Sequence, residues 1–203
     1  TVPGAPTGVS GTPGNTEVSL TWTAPASNGG SAITDYVVEF NNGSTWATFA
    51  DGTSTTTAAA VIGLTNGTAY TFRISAVNAA GTGATSIVST AVTPRTVPGA
   101  PTGVEGTPGN TEVSLTWTAP VSSGGAAITD YVVESSTNGT SWTTFADGTS
   151  TSASATVTGL TNGTSYTFRV SAVNAAGTGA ASVVSAGVTP RTVPGAPTGV
   201  EGT

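Results

Sequence analysis

Apolar and polar residues alternate in short runs along this chain. Glu17-Val18-Ser19-Leu20-Thr21-Trp22 alternates strictly, which puts Val18, Leu20 and Trp22 on one face of a strand and polar groups on the other. Residues 33–40 form a second run, with Tyr36 and Val38 on the inner face. Residues 70–76 alternate again and turn Tyr70, Phe72, Ile74 and Ala76 inward. Weaker signals predict shorter strands near residues 7–11, 46–50, 56–62 and 86–92. Turn chemistry separates the runs: Pro13-Gly14-Asn15, Ser27-Asn28-Gly29-Gly30, Asn42-Gly43, Asp51-Gly52, Asn66-Gly67 and Ala80-Gly81. No 3.6-residue pattern is sustained anywhere. Seven short antiparallel strands in about 95 residues read as an all-β sandwich of two sheets.

The pattern then repeats. The string Thr-Val-Pro-Gly-Ala-Pro-Thr-Gly-Val begins at Thr1, Thr96 and Thr192. The two full copies match at roughly four in five aligned positions, and a period this long is one small domain rather than a solenoid unit. The expected organisation is one sandwich in residues 1–95, a second in 96–191, and the first strand of a truncated third in 192–203. Differences between the copies fall mostly at turns or outward positions, as in Ser10/Glu105, Ala26/Val121 and Ala69/Ser165, while inner positions change by a methyl, as in Ile74/Val170. This is the pattern left by selection for folding alone, with no exposed chemistry retained as a binding face. The joint between copies, residues 93–101, carries Pro94, Pro98 and Pro101, which fix φ and favour an extended, semi-rigid path. It recurs at 189–197, and a repeated linker implies a repeated orientation.

Composition narrows the chemistry. There is no Cys, no His and no Met, the four cationic residues are all Arg, and the net charge is -6. No disulfide or thiolate site exists. The chain has no basic patch for phosphate, so nucleic acid is excluded as a partner. No apolar run reaches membrane-spanning length, so no membrane insertion is expected in this segment. At 36% hydrophobic residues, arranged in alternation, the chain has enough to pack a core despite its many Gly, Pro, Ser and Thr.

At the level of motifs, both repeats resemble the fibronectin type III domain. The features are Trp22 on the second strand, Pro25, the turn leading to Tyr36, Leu64-Thr65-Asn66-Gly67-Thr68-Ala69-Tyr70, and the stretch from Phe72 through Asn78 to Gly81. The second copy repeats them at Trp117, Pro120, Tyr131, Leu160, Tyr166, Phe168 and Asn174. The resemblance implies an immunoglobulin-like sandwich with a tyrosine corner at Tyr70. That hydroxyl should find a backbone partner a few residues upstream. The corner has Asn-Gly where many family members have Pro. An Arg-Gly-Asp tripeptide, which this family can carry before the last strand, is absent from the uncharged loop 78–84.

Candidate chemistry is thin. Without His or Lys there is no general base for a serine nucleophile. Asp35 and Glu39 share a strand face four residues apart, about 13 Å, beyond the roughly 5–9.5 Å of glycosidase pairs. Asp51-Gly52-Thr53 and Asp147-Gly148-Thr149 offer one carboxylate each, too few for calcium, and read as hairpin turns. Asn42, Asn66, Asn138 and Asn162 each begin an Asn-x-Ser/Thr triplet, and all four are Asn-Gly turns first. No catalytic, metal or cofactor residues are assigned. The residues expected to matter are structural: Trp22, Tyr36, Leu64 and Tyr70, with Trp117, Tyr131, Leu160 and Tyr166.

The functional expectation is a spacer or stalk in a long array of a secreted or cell-surface protein, of a kind seen in bacteria, with neighbouring repeats as its partners. Two alternatives stand beside it. One is an accessory module of an extracellular polysaccharide-degrading enzyme, for which Trp46 and Trp142 are the only sugar-facing candidates. The other is lateral self-association into a fibre or sheath. Trypsin can cut only at Arg73, Arg95, Arg169 and Arg191. Limited digestion read by mass spectrometry is expected to cleave Arg95 and Arg191 first, with the strand arginines surviving.

Overall fold

The computed structural model describes residues 1–195. The strand expected at the start of a third repeat lies largely outside the described residues. The chain divides into two compact units, one centred on Thr1–Thr96 and the other on Val97 and the residues after it. Each is a two-sheet sandwich. In the first unit the strands are β1 (Thr7–Pro13), β2 (Glu17–Thr23), β3 (Ile33–Asn41), β4 (Ala47–Phe49), β5 (Ala58–Ile62), β6 (Thr71–Asn78) and β7 (Gly81–Thr85). They form a three-stranded sheet, β1-β2-β5, and a four-stranded sheet, β4-β3-β6-β7, and the paired strands run antiparallel. The second unit repeats this with β8 (Thr102–Pro108), β9 (Glu112–Thr118), β10 (Ile128–Ser136), β11 (Thr143–Phe145), β12 (Ser154–Thr158), β13 (Thr167–Asn174) and β14 (Gly177–Ala181). Its sheets are β8-β9-β12 and β11-β10-β13-β14.

The alternation explains the core. Val18, Leu20 and Trp22 of β2 face Tyr36 and Val38 of β3 and Phe72, Ile74 and Ala76 of β6, all buried, with Val61, Leu64, Tyr70 and Val92 closing the ends. Trp22 meets Tyr36 edge to face with ring centroids 5.3 Å apart, and Trp117 meets Tyr131 in the same way. Such pairs add about 0.5–1.5 kcal/mol beyond the area they bury. Among the described residues, Nε1 of Trp22 and Nε1 of Trp117 are buried without a hydrogen-bond partner, which costs stability. The tyrosine corner forms as the resemblance implied: Thr65 N donates to the Tyr70 hydroxyl at 3.1 Å, and Thr161 N to Tyr166 at 3.2 Å.

Three expectations are corrected. The last strand of the first unit is not 86–92 but β7 at Gly81–Thr85, so the anticipated loop 78–84 shrinks to the turn Ala79-Ala80. Residues 86–92 still follow β6, but with a three-residue step: Ser86, Ser89 and Val92 are buried, while Ile87 and Val88 stand 80% and 50% exposed. The backbone N–H groups of Ser86, Ser89 and Val92 donate to the carbonyls of Ile74, Phe72 and Tyr70. Three residues here match two of β6, as in a run of bulges, so a regular ladder cannot form. Serine hydroxyls fill the gap: Ser86 Oγ accepts from Ile74 N, and Ser89 Oγ accepts from Phe72 N, both at 3.0 Å.

Asp51-Gly52 is likewise not a hairpin. It lies in the crossover from β4 in one sheet to β5 in the other. Nor are inner positions always retained. Phe40 packs against the first core and against Tyr70, 6.1 Å between centroids, whereas the second copy has Ser135 there.

Removing the hydroxyl acceptors strands two buried backbone donors. The double variant Ser89→Ala/Ser185→Ala is expected to cost each unit about 1–3 kcal/mol in urea unfolding, while the exposed Thr90→Ala is neutral.

Candidate functional site

The chemistry-bearing side chains of each unit gather on the outer face of the four-stranded sheet. Register sets this: Glu39 on β3 lies directly opposite Arg73 on β6, between inward-facing neighbours, so both point away from the core. The pair is bidentate, with Arg73 Nε donating to Glu39 Oε2 at 2.9 Å and Nη2 to Oε1 at 2.8 Å. Trp46, half-buried just before β4, lays its ring 4.3 Å from the guanidinium carbon. The stack covers the ion pair and joins a cation–π contact to it. The second unit rebuilds the set as Trp142 over Arg169 at 4.3 Å, with Arg169 donating to Glu134 at 2.7 and 3.0 Å. Hydrogen bonding to the carboxylate holds both guanidinium groups above their already high ordinary pKa.

This triad is half-buried and retained in both copies. Trp46 and Trp142 were legible in the sequence. Their arginine and glutamate partners were not, because the pairing depends on strand register.

Other sequence candidates are similarly engaged. Asp35 Oδ1 accepts from Ser54 N at 2.9 Å, and Asp130 Oδ1 from Ser150 N at 3.0 Å, which pins the crossover loop to β3 and β10. Asp35 and Glu39 thus serve different structures and do not converge. Partial desolvation, with a smaller push from the Asp35 charge, raises the Asp51 carboxyl above its ordinary value. Asn66 is a brace: Oδ1 accepts from Thr16 N and Nδ2 donates to Asn15 Oδ1, each at 2.8 Å. Asn162 does the same for Thr111 and Asn110. The braced residues need it, since Thr16 and Thr111 sit at φ 57° and 59°, a region β-branched side chains avoid. Among the described residues there is no group of three or more His, Cys, Asp or Glu placed to hold a metal ion, and no helix long and apolar enough to cross a membrane.

The Phe40-to-Ser135 difference leaves a mark. A recess of about 160 Å³ in the second unit is lined by Ser135, Ser136, Asn138 and Tyr166 among others. Tyr166 is half-buried there, whereas Tyr70 is 6% exposed beneath Phe40.

Comparison with known proteins fits this picture. The family model described as "Fibronectin type III domain" matches residues 4–92 and again 99–188. Chitinase A1 of Niallia circulans is 39% identical over 195 residues, covering 87% of this chain and 25% of that protein. Endoglucanase B of Cellulomonas fimi is 36% identical over 189 residues, covering 89% of this chain and 17% of that protein. The chain therefore spans a quarter or less of the length of these relatives. Domains A168–A170 of titin share the fold, with a TM-score of 0.56 at 24% identity over 93% of this chain and 61% of that one.

Filling the recess is expected to stabilise the second unit. Ser135→Phe restores the ring that covers Tyr70 in the first copy and should raise stability by about 1 kcal/mol in urea unfolding, with Phe40→Ser costing the first unit more.

Proposed function

The chain belongs to the fibronectin type III family, and on that premise we propose that its two modules are a non-catalytic spacer within a larger secreted or cell-surface protein. One observation carries the reading: in both copies the polar and aromatic side chains that could act on a ligand are spent on one another. Trp46 covers Arg73, Arg73 holds Glu39, Asp35 ties down a loop, and Asn66 braces a turn. Each such contact reappears in the second unit. Side chains committed in this way stabilise a unit and leave little to reorganise around a substrate. Duplication of the same commitments fits a part whose value lies in being repeated.

The host we favour is an extracellular polysaccharide-degrading enzyme of bacterial type, with catalysis located elsewhere in it. Support comes from the two relatives named above, a chitinase and an endoglucanase, of which a stretch like this chain is only a fraction. In that setting the modules would hold other domains apart.

The test uses the two-module chain with insoluble chitin and cellulose, read by depletion from solution and by tryptophan fluorescence, alongside sedimentation velocity. A spacer stays in solution, keeps its fluorescence and sediments as a monomer. Retention on either polymer with a change in fluorescence would replace the spacer reading by a sugar-binding one. A concentration-dependent dimer would replace it by self-association.

A further inference from the structure

The uncharged small residues at one end of each sandwich have a specific occupant. In the first unit the entering segment Thr1–Gly4 lies across the β2–β3 connection and the β6–β7 hairpin. Gly4 N donates to Ser27 O at 2.9 Å, and Asn78 Nδ2 donates to Thr1 O and Asn28 O, both at 2.8 Å. Pro3 is buried there. The fit leaves no room for a side chain at Gly83, where a Cβ would overlap the Pro3 carbonyl oxygen, while one on Gly81 would rest in ordinary contact with Val2 Cγ1. The second unit repeats the arrangement. Gly99 N donates to Ser122 O at 2.9 Å, Asn174 Nδ2 to Ser123 O at 2.7 Å, and Pro98 is buried. A Cβ on Gly179 would overlap the Pro98 carbonyl oxygen, and one on Gly177 would touch Val97 Cγ1.

Just upstream of this second cradle, the chain is still bonded to the first unit. Gly67 N donates to Pro94 O, and Arg95 N donates to Gly14 O, each at 2.9 Å. Two anchor sets therefore bracket Thr96, with Pro94 and Arg95 on one side and Val97 to Gly99 on the other.

We infer that the glycine-lined end of each module is a docking site for the Thr-Val-Pro-Gly segment that enters it, and that docking is what restrains and protects the linker. Protection of the joint is thus encoded in the β6–β7 type hairpin of the module that follows, far along the sequence from the joint. The inference holds whatever protein hosts the array.

The experiment is trypsin digestion of the two-module chain, with cleavage at Arg95 and at Arg169 followed separately. Neither Gly83 nor Gly179 has a positive φ, so alanine there acts through space alone. Gly179→Ala is expected to displace Pro98 and raise the Arg95 cleavage rate about tenfold, because cleavage tracks the population of the open form. Gly83→Ala makes the same change in the first unit, displaces Pro3 instead, and should leave Arg95 at the wild-type rate. Arg169, on β13, reports whether the second sandwich is folded, since it stays uncut while that sheet is intact. If Gly179→Ala opens Arg169 as well, Val97→Ala trims the side chain over Gly177 without freeing the backbone and should give a smaller rise at Arg95 with Arg169 still protected. An unchanged Arg95 rate in a folded variant, or an equal rise from Gly83→Ala, overturns the inference.

Discussion

Burial of β6 is the constraint from which the rest of the unit follows. This strand carries Phe72, Ile74 and Ala76 in the core and lies between neighbours on both sides, so its backbone groups have no access to water. Each must be paired within the protein. On one side β3 does this with a regular ladder from Asn41 to Asp35. On the other the partner changes character midway: β7 pairs with Ser75, Val77 and Asn78, and then Ser86, Ser89 and Val92 take over at three-residue intervals. Where the backbone falls out of step, a serine hydroxyl accepts a hydrogen bond from the stranded N–H and donates its own O–H to a nearby carbonyl, Ser86 to Ile87 O and Ser89 to Thr90 O. The buried serines are there because the strand beside them demands acceptors.

The same strand organises the surface. Its outward residue Arg73 meets Glu39 across the ladder and Trp46 above it. Its last residue, Asn78, turns the hairpin by accepting from Ala80 N and holds the entering segment by donating to Thr1 O. Core, outer face and chain entry are thus fixed by one eight-residue element, and that element differs between the copies only at Ile74/Val170. Positions that differ more freely lie off it. Phe40 to Ser135 is the largest such change, and its consequence stays local, a recess beside Tyr166 rather than a rearranged sheet.

A module organised this way suits a spacer. On the outer face of the four-stranded sheet, Glu39, Arg73 and Trp46 are committed to one another, as are Glu134, Arg169 and Trp142. In the β6–β7 hairpin, Gly83 is small because the entering segment approaches its backbone closely. The prolines flanking the joint limit the linker's freedom before docking, which lowers the entropy lost when it is held.

The alternation of Val18, Leu20 and Trp22, and of Tyr70 through Ala76, determined two sheets and their inward faces, and the string recurring from Thr1 at Thr96 determined the tandem organisation. Those features depend on local period and need no knowledge of distant partners. The tyrosine corner followed from the family resemblance, and the two residues that form it are five apart in sequence. What only the tertiary structure decided was everything set by register between distant strands. Arg73 and Glu39 are 34 residues apart, Asn66 and Thr16 are 50, and Asn78 and Thr1 are 77. The last strand was misplaced for the same reason: the run at 86–92 has strand-like composition, but the step of its neighbour β6 decides how it pairs. A period can be read from one segment alone, whereas a register exists only between two.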